Sequence, residues 1–325
     1  MSHGVRRVKT TAEVQLLKKQ KEAKLIDEYR QLTSAVFQKR KDLCYDDESF
    51  QLTTRLLRNN PELYTVWNYR REILLSRFDS CSEAEVTEAC QAELDFFMEV
   101  IRFNPKCYWI WNHRLWALST TPSPNWDMEL RLVGKMLELD SRNFHGWDYR
   151  RYVIDKICSV QPENILAINT REFDYTTQKI MENFSNFSAW HNRLKLLEMI
   201  LPGKTLEERR ALIANEFELV QSALFTEPQD ECGWLHWRWL IEQEISLTEA
   251  ISEQLATVVR ETDTIAELLE LAPDGKLVLR NIILLYRIKH GIEPLNAVDR
   301  AKVGQYVQRL AELDPLRVGL DEKWW

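Results

Sequence analysis

Glycine and proline are scarce in this chain, 9 and 10 among 325 residues. That excludes collagenous and low-complexity chains, and with 45% hydrophobic and 29% charged residues it describes a helix-rich globular one. Positive charge is in deficit, 43 Lys and Arg against 50 Asp and Glu for a net charge of -7. No nucleic-acid partner is expected, because phosphate neutralisation needs a surplus of cations on one face. No run approaches the roughly 18 apolar residues of a spanning helix, and the charged stretch from Lys18 to Lys24 lacks the apolar centre of a secretion signal. Cys44, Cys81, Cys90, Cys107, Cys158 and Cys232 form no C-x-x-C pair and no disulfide-like spacing. The expectation is a cytoplasmic chain with free thiols and no membrane insertion, whose partners are proteins or small molecules. P-loop, G-x-S-x-G and dinucleotide fingerprints are also missing.

Tryptophan is the exception, with 12 residues. Trp67-Asn68-Tyr69-Arg70 returns as Trp111-Asn112-His113-Arg114, Trp147-Asp148-Tyr149-Arg150 and Trp190-His191-Asn192-Arg193, and more loosely around Trp234. The separations of 44, 36, 43 and 44 residues are the size of a helical-hairpin repeat. Six residues before each Trp stands a turn position, Pro61, Pro105, Ser141, Phe184 or Pro228, preceded by Asn60, Asn104, Asp140, Asn183 or Glu227. Twelve residues earlier lie Glu93, Glu129, Glu172 and Glu216, with Ser49 in the first unit. From Glu93, the residues Phe96, Phe97, Val100 and Ile101 share one helical face, so a first helix runs into each turn. Leu74, Leu118, Ile154, Leu197 and Ile241 lie seven residues beyond each Trp, two turns along a second helix.

The fold expected is all-α: a right-handed superhelical solenoid, crescent-shaped, of stacked helical hairpins in one continuous domain, 1–325. Residues 1–45 form a charged segment with a capping helix over 11–39. Repeats centre on Trp67, Trp111, Trp147, Trp190 and Trp234, and eroded copies occupy 255–325, where Glu261, Pro273 and Leu279 keep the register without the Trp. Loops are expected over 79–88, 119–125, 159–164 and 202–209.

Trp suits the seam between hairpins, since it buries a large apolar area while its indole N–H reaches a polar neighbour. An Arg one turn later stacks on a ring or pairs with a first-helix Glu. Repeated on successive second helices, Arg70, Arg114, Arg150, Arg193 and Arg238 are also candidates for a cationic ladder facing a partner. His113, His145, His191 and His236 read as repeat-surface residues, none at metal-ligand spacing.

The core N-P-x-x-Y-x-x-W-x-x-R in a Glu-led hairpin resembles the α subunits of the heterodimeric protein prenyltransferases. Residues 1–10, 35–40 and 142–151 look like the type II, Rab-acting branch of that family, and the likeness runs past Ile282 to Arg317, so it covers essentially the whole chain. The immunoglobulin-like insert and leucine-rich repeat of larger members have no counterpart here, and the fifth unit places its Arg one residue late, at Arg238.

The resemblance implies a β subunit, a helical barrel holding zinc and the isoprenoid pocket, with no cofactor bound by this chain alone. It implies transfer of geranylgeranyl from geranylgeranyl diphosphate to C-terminal cysteines of Rab GTPases presented by an escort protein. Lys106 and Tyr108 match the family segment that approaches the leaving diphosphate and are the implied catalytic pair; read by itself, Lys106 is a solvated turn lysine. His3 is a weaker candidate ligand for the partner's zinc. Two other readings stay open: the α subunit shared by farnesyltransferase and the type I enzyme, and a non-catalytic tetratricopeptide-like scaffold.

Overall fold

A computed structural model describes residues 11–317. Among them are fourteen α-helices and no strand, and no helix is long and apolar enough to cross a membrane. Contacts divide the chain into two compact units between Leu132 and Val133. The first holds α1 (Ala12–Lys41) and the hairpins α2 (Asp47–Asn59)/α3 (Tyr64–Phe78) and α4 (Glu83–Ile101)/α5 (Tyr108–Thr120); α6 (Trp126–Leu139) carries the chain across the division. The second holds α7 (Phe144–Val160), α8 (Ile165–Glu182)/α9 (Phe187–Ile200), α10 (Leu206–Thr226)/α11 (Glu231–Ser246), α12 (Ile251–Leu271)/α13 (Lys276–Ile292) and α14 (Ala297–Leu313). Hairpins stacked within each unit make the architecture a helical solenoid.

The six-residue spacing between turn and Trp has a direct physical cause. Each indole N–H donates to the carbonyl at the turn position: Trp67 to Pro61 at 2.8 Å, Trp111 to Pro105 at 3.1 Å, Trp147 to Ser141 at 2.9 Å, Trp190 to Phe184 at 2.8 Å and Trp234 to Pro228 at 2.9 Å. One buried side chain thus satisfies a carbonyl that the helix end leaves open and ties the turn to the second helix. The preceding Asn or Asp closes the same turn from the other side: the side-chain oxygens of Asn60, Asp140 and Asn183 accept from the backbone N–H two residues on.

The aliphatic residues seven beyond each Trp are all buried, as are Phe96, Phe97, Val100 and Ile101. Immediately before the third and fifth Trp stands a glycine with a leucine side chain of the first helix close against it. A Cβ on Gly146 would meet Leu137 Cδ2 at 3.0 Å, and one on Gly233 would meet Leu224 Cδ2 at 3.1 Å.

Two expectations shift. The leading helix ends two residues later, at Lys41, and only its C-terminal part packs: Leu32 and Val36 are buried, whereas every residue from Ala12 to Glu28 is exposed. Helices α4 and α10 also begin inside stretches expected to be loop. Ser82 and Thr205 each form a capping box, with Glu85 and Glu208 three residues on, and nucleate the helix several residues earlier.

Candidate functional site

The arginines of the first four repeats do not form an outer ladder. Arg70, Arg114, Arg150 and Arg193 are buried, and each pairs in a fork with the Glu of the next repeat's first helix. Arg70 meets Glu93 at 2.6 and 2.7 Å, Arg114 meets Glu129 at 2.8 and 2.6 Å, Arg150 meets Glu172 at 2.7 and 2.5 Å, and Arg193 meets Glu216 at 2.7 and 2.5 Å. The remaining donors are used locally: Arg70 Nη1 donates to Thr53 and Thr54, and Arg193 Nη1 to Thr176 and Thr177. An aromatic face covers the guanidinium, Phe50 for Arg70, Tyr175 for Arg150 and Phe173 for Arg193, at 3.8, 3.5 and 3.8 Å. The expectation that these four arginines face a partner is therefore corrected: a planar cation with a matching carboxylate one repeat away is held inside the stack, where both charges are satisfied. Ser49 stands where the first unit lacks a Glu because no earlier repeat supplies an arginine.

The histidines divide in the same way. His113 and His236 are buried and join the ion pairs, with Nε2 at 2.7 Å from Glu93 and 3.0 Å from Glu216. Arg71 Nε donates to His113 Nδ1 at 3.3 Å, so the ring is neutral, with its proton on Nε2 shared toward Glu93. His145 is buried behind its helix cap, Asn143, and its ring lies tilted against Phe144. These three are not repeat-surface residues. His191 is exposed, beside Phe187, and Arg238 is half-buried. His3 lies outside the described residues. Among the described residues no three His, Cys, Asp or Glu side chains come together as a metal site.

Burial pushes the His113 imidazole down to about 4, against the raising influence of Glu93, and a proton on Nδ1 would meet Arg71. Burial lowers His236 in the same sense. For Glu93, burial acts upward but is outweighed by His113 and Arg70, which hold the carboxyl at about 2. The sign follows: a group whose folded pKa is depressed stabilises the fold above its unfolded value and loses that contribution as pH falls. For His113 the window runs from about 6.5 down to about 4. Its share of stability lost by pH 4.5 is on the order of 2–3 kcal/mol. Melting curves from pH 7.5 to 4.5 are expected to fall less steeply for His113→Gln than for the unaltered chain; parallel curves would remove His113 from this role.

Lys106 and Tyr108 flank the N-cap of α5, Cys107, and both are exposed. The buried Cys107 thiol fixes the turn by donating to the Pro61 carbonyl at 3.5 Å, one repeat back. In this register Lys106 has Glu62, Arg142, Ser185 and Gln229 as counterparts, and Tyr108 has Tyr64, Phe144, Phe187 and Glu231. Only the second repeat sets an ammonium two residues before a phenol, at a helix N-terminus whose open N–H groups favour an anion. The same register holds three residues that sequence reading missed, Tyr64, Phe144 and Phe187, the counterparts of Tyr108. Tyr64, Tyr108, Phe144 and Phe187 are 53%, 62%, 51% and 54% exposed, a repeated outward aromatic where the pattern alone suggests core. In the first unit Tyr64 lies against Trp109 at 5.0 Å between ring centroids, an exposed aromatic patch of the kind that marks an interaction surface.

The protein prenyltransferase alpha subunit repeat matches residues 46–77, 90–121, 126–157, 169–200 and 213–244, the five hairpins built around the Trp residues. The geranylgeranyl transferase type-2 subunit alpha of Schizosaccharomyces pombe is 38% identical over 98% of this chain and 96% of its own length. The human protein of that name is 40% identical over 74% of this chain and 41% of its own. Among solved structures, Candida albicans protein geranylgeranyltransferase-I, complexed with GGPP, shares the fold with a TM-score of 0.67 at 19% identity, over 91% of this chain and 89% of that one. With its five repeats, its buried Arg–Glu lattice and relatives matched from end to end, the chain belongs to the protein prenyltransferase α subunits, in the family of geranylgeranyl transferase type-2 subunit alpha.

Proposed function

We propose that this chain works in the cytoplasm as the α subunit of an α/β heterodimer that transfers geranylgeranyl from geranylgeranyl diphosphate to C-terminal cysteines of Rab GTPases presented by an escort protein. The observation that carries the reading is the end-to-end match to type-2 α subunits, 98% of this chain and 96% of the fission-yeast relative. The repeated exposed aromatics supply the reason for a partner, because a face carrying Tyr64, Tyr108 and Trp109 is stabilised when covered. Zinc is assigned here to the β subunit, as the family resemblance implies.

In that arrangement the chain contributes charge at the leaving group. As the C–O bond to the isoprenoid breaks, the departing diphosphate gains negative charge. A preplaced Lys106 ammonium and Tyr108 hydroxyl stabilise that charge more than the ground state. The buried Arg–Glu lattice acts indirectly, by holding α5, which begins at Tyr108 and follows the turn of Lys106. Co-expression with type II and type I β subunits tests the pairing: a stable one-to-one complex with the type II subunit is expected. Pairing only with the β subunits of farnesyltransferase or the type I enzyme would shift the reading to the shared α subunit.

A further inference from the structure

The fifth repeat breaks the rule that every repeat arginine has its carboxylate. Trp237 stands where the earlier repeats carry Arg, and its indole donates to Glu261 Oε2 at 2.8 Å, while Arg260 Nε donates to the other oxygen at 2.9 Å. Glu261 is thereby fully engaged. Arg238, one place later, spends its Nε on Asn281 Oδ1 at 2.7 Å, and among the described residues no carboxylate forms an ion pair with its guanidinium. Burial and the neighbouring Arg280 charge lower its pKa, with Glu231 offsetting only part. A half-buried cation lacking a counter-ion is costly unless something else supplies one.

Arg238 also lines a groove of about 480 Å³ between α11 and α13, whose apolar walls are Trp237, Ile241, Ile245, Leu284 and Ile288 and whose other lining, Ser246, Thr248 and Gln254 among it, is polar. That volume lies within the roughly 300–1,000 Å³ of small-molecule sites, which pair an apolar lining with a few polar groups. We propose that this groove binds a singly charged amphiphile, its aliphatic tail along the partly exposed Ile245, Leu284 and Ile288 walls and its carboxylate head on Arg238. Exposed Glu242 and Glu249 lie on the same rim and disfavour a head of higher charge, which sets this ligand apart from a prenyl diphosphate. The site does not depend on the prenyl-transfer reading.

Titration of the full chain with the fluorescent C18 carboxylate cis-parinarate tests the proposal. One saturable site is expected, displaced by dodecanoate and only weakly by dodecyl phosphate, whose head carries close to two charges at pH 7. Arg238→Gln is expected to weaken this site about 10- to 100-fold, the loss of one charge-assisted hydrogen bond, and Arg238→Lys by less. Ile245→Glu, at the half-exposed wall, is expected to weaken it while leaving the melting curve in place. Dodecanol, which has no charge, should compete equally poorly in the unaltered chain and in Arg238→Gln. Absence of saturable binding, or equal affinity in folded Arg238→Gln, overturns the site.

Discussion

Replacing Glu93 with Ala is expected to destabilise the fold by about 3 to 5 kcal/mol, the cost of stranding a buried charge. Glu93 takes both forks of Arg70 and the Nε2 of His113, so its removal leaves a guanidinium and an imidazole without an acceptor inside the first unit. The threonines that hold Arg70 Nη1 cannot replace a carboxylate, because a hydroxyl carries no opposing charge. The contrast is Arg58–Glu99, an equally well-formed fork on the surface. Glu99→Ala there is expected to cost under about 1 kcal/mol, because water screens the pair and solvates what is left. Denaturant midpoints for the two variants provide the comparison, and equal shifts would mean that the buried lattice contributes no more than surface charge.

Lys106→Ala is expected to slow geranylgeranyl transfer by roughly 10- to 1000-fold, the range for loss of one charge-stabilising donor in a transition state. The heterodimer should remain intact, because Lys106 is exposed at a turn whose fold is set by other groups: the Trp111 indole on Pro105 and the Cys107 thiol on Pro61. The loss should fall on kcat, since charge builds on the diphosphate as the bond breaks. Tyr108→Phe, which deletes one hydroxyl and keeps the aromatic face, is expected to act in the same direction and less strongly. Single-turnover rates with saturating geranylgeranyl diphosphate separate this from weakened binding. An unchanged rate would return Lys106 to a solvated turn lysine.

Trp and its turn residue were legible in the sequence because one hydrogen bond sets their six-residue spacing in all five repeats. The Arg–Glu partnership was half legible. Both residues recur at fixed register, but a one-dimensional pattern gives no direction, and an arginine ladder reads equally well as a concave surface or a buried seam. A signal was present in Ser49: the first unit, with no repeat before it, is the one among the five without the Glu. Position four beyond each Trp shows how finely such registers differ. Arg71 satisfies His113 Nδ1, whereas Leu194 holds the equivalent place in the fourth repeat and His236 Nδ1 stays buried without a partner. The exposed aromatics at Tyr64, Phe144 and Phe187 were hidden for a different reason. An aromatic at a repeated position reads as core unless a missing covering surface is already suspected.

The measurement that bears most directly on the central claim is prenyl transfer by this chain, purified with a type II β subunit and given geranylgeranyl diphosphate. A Rab GTPase with its escort protein is compared against a substrate ending in C-a-a-X. Geranylgeranyl transfer to the Rab protein, with little to the C-a-a-X substrate, is the result expected. Transfer to the C-a-a-X substrate alone, or to neither, would contradict the assignment.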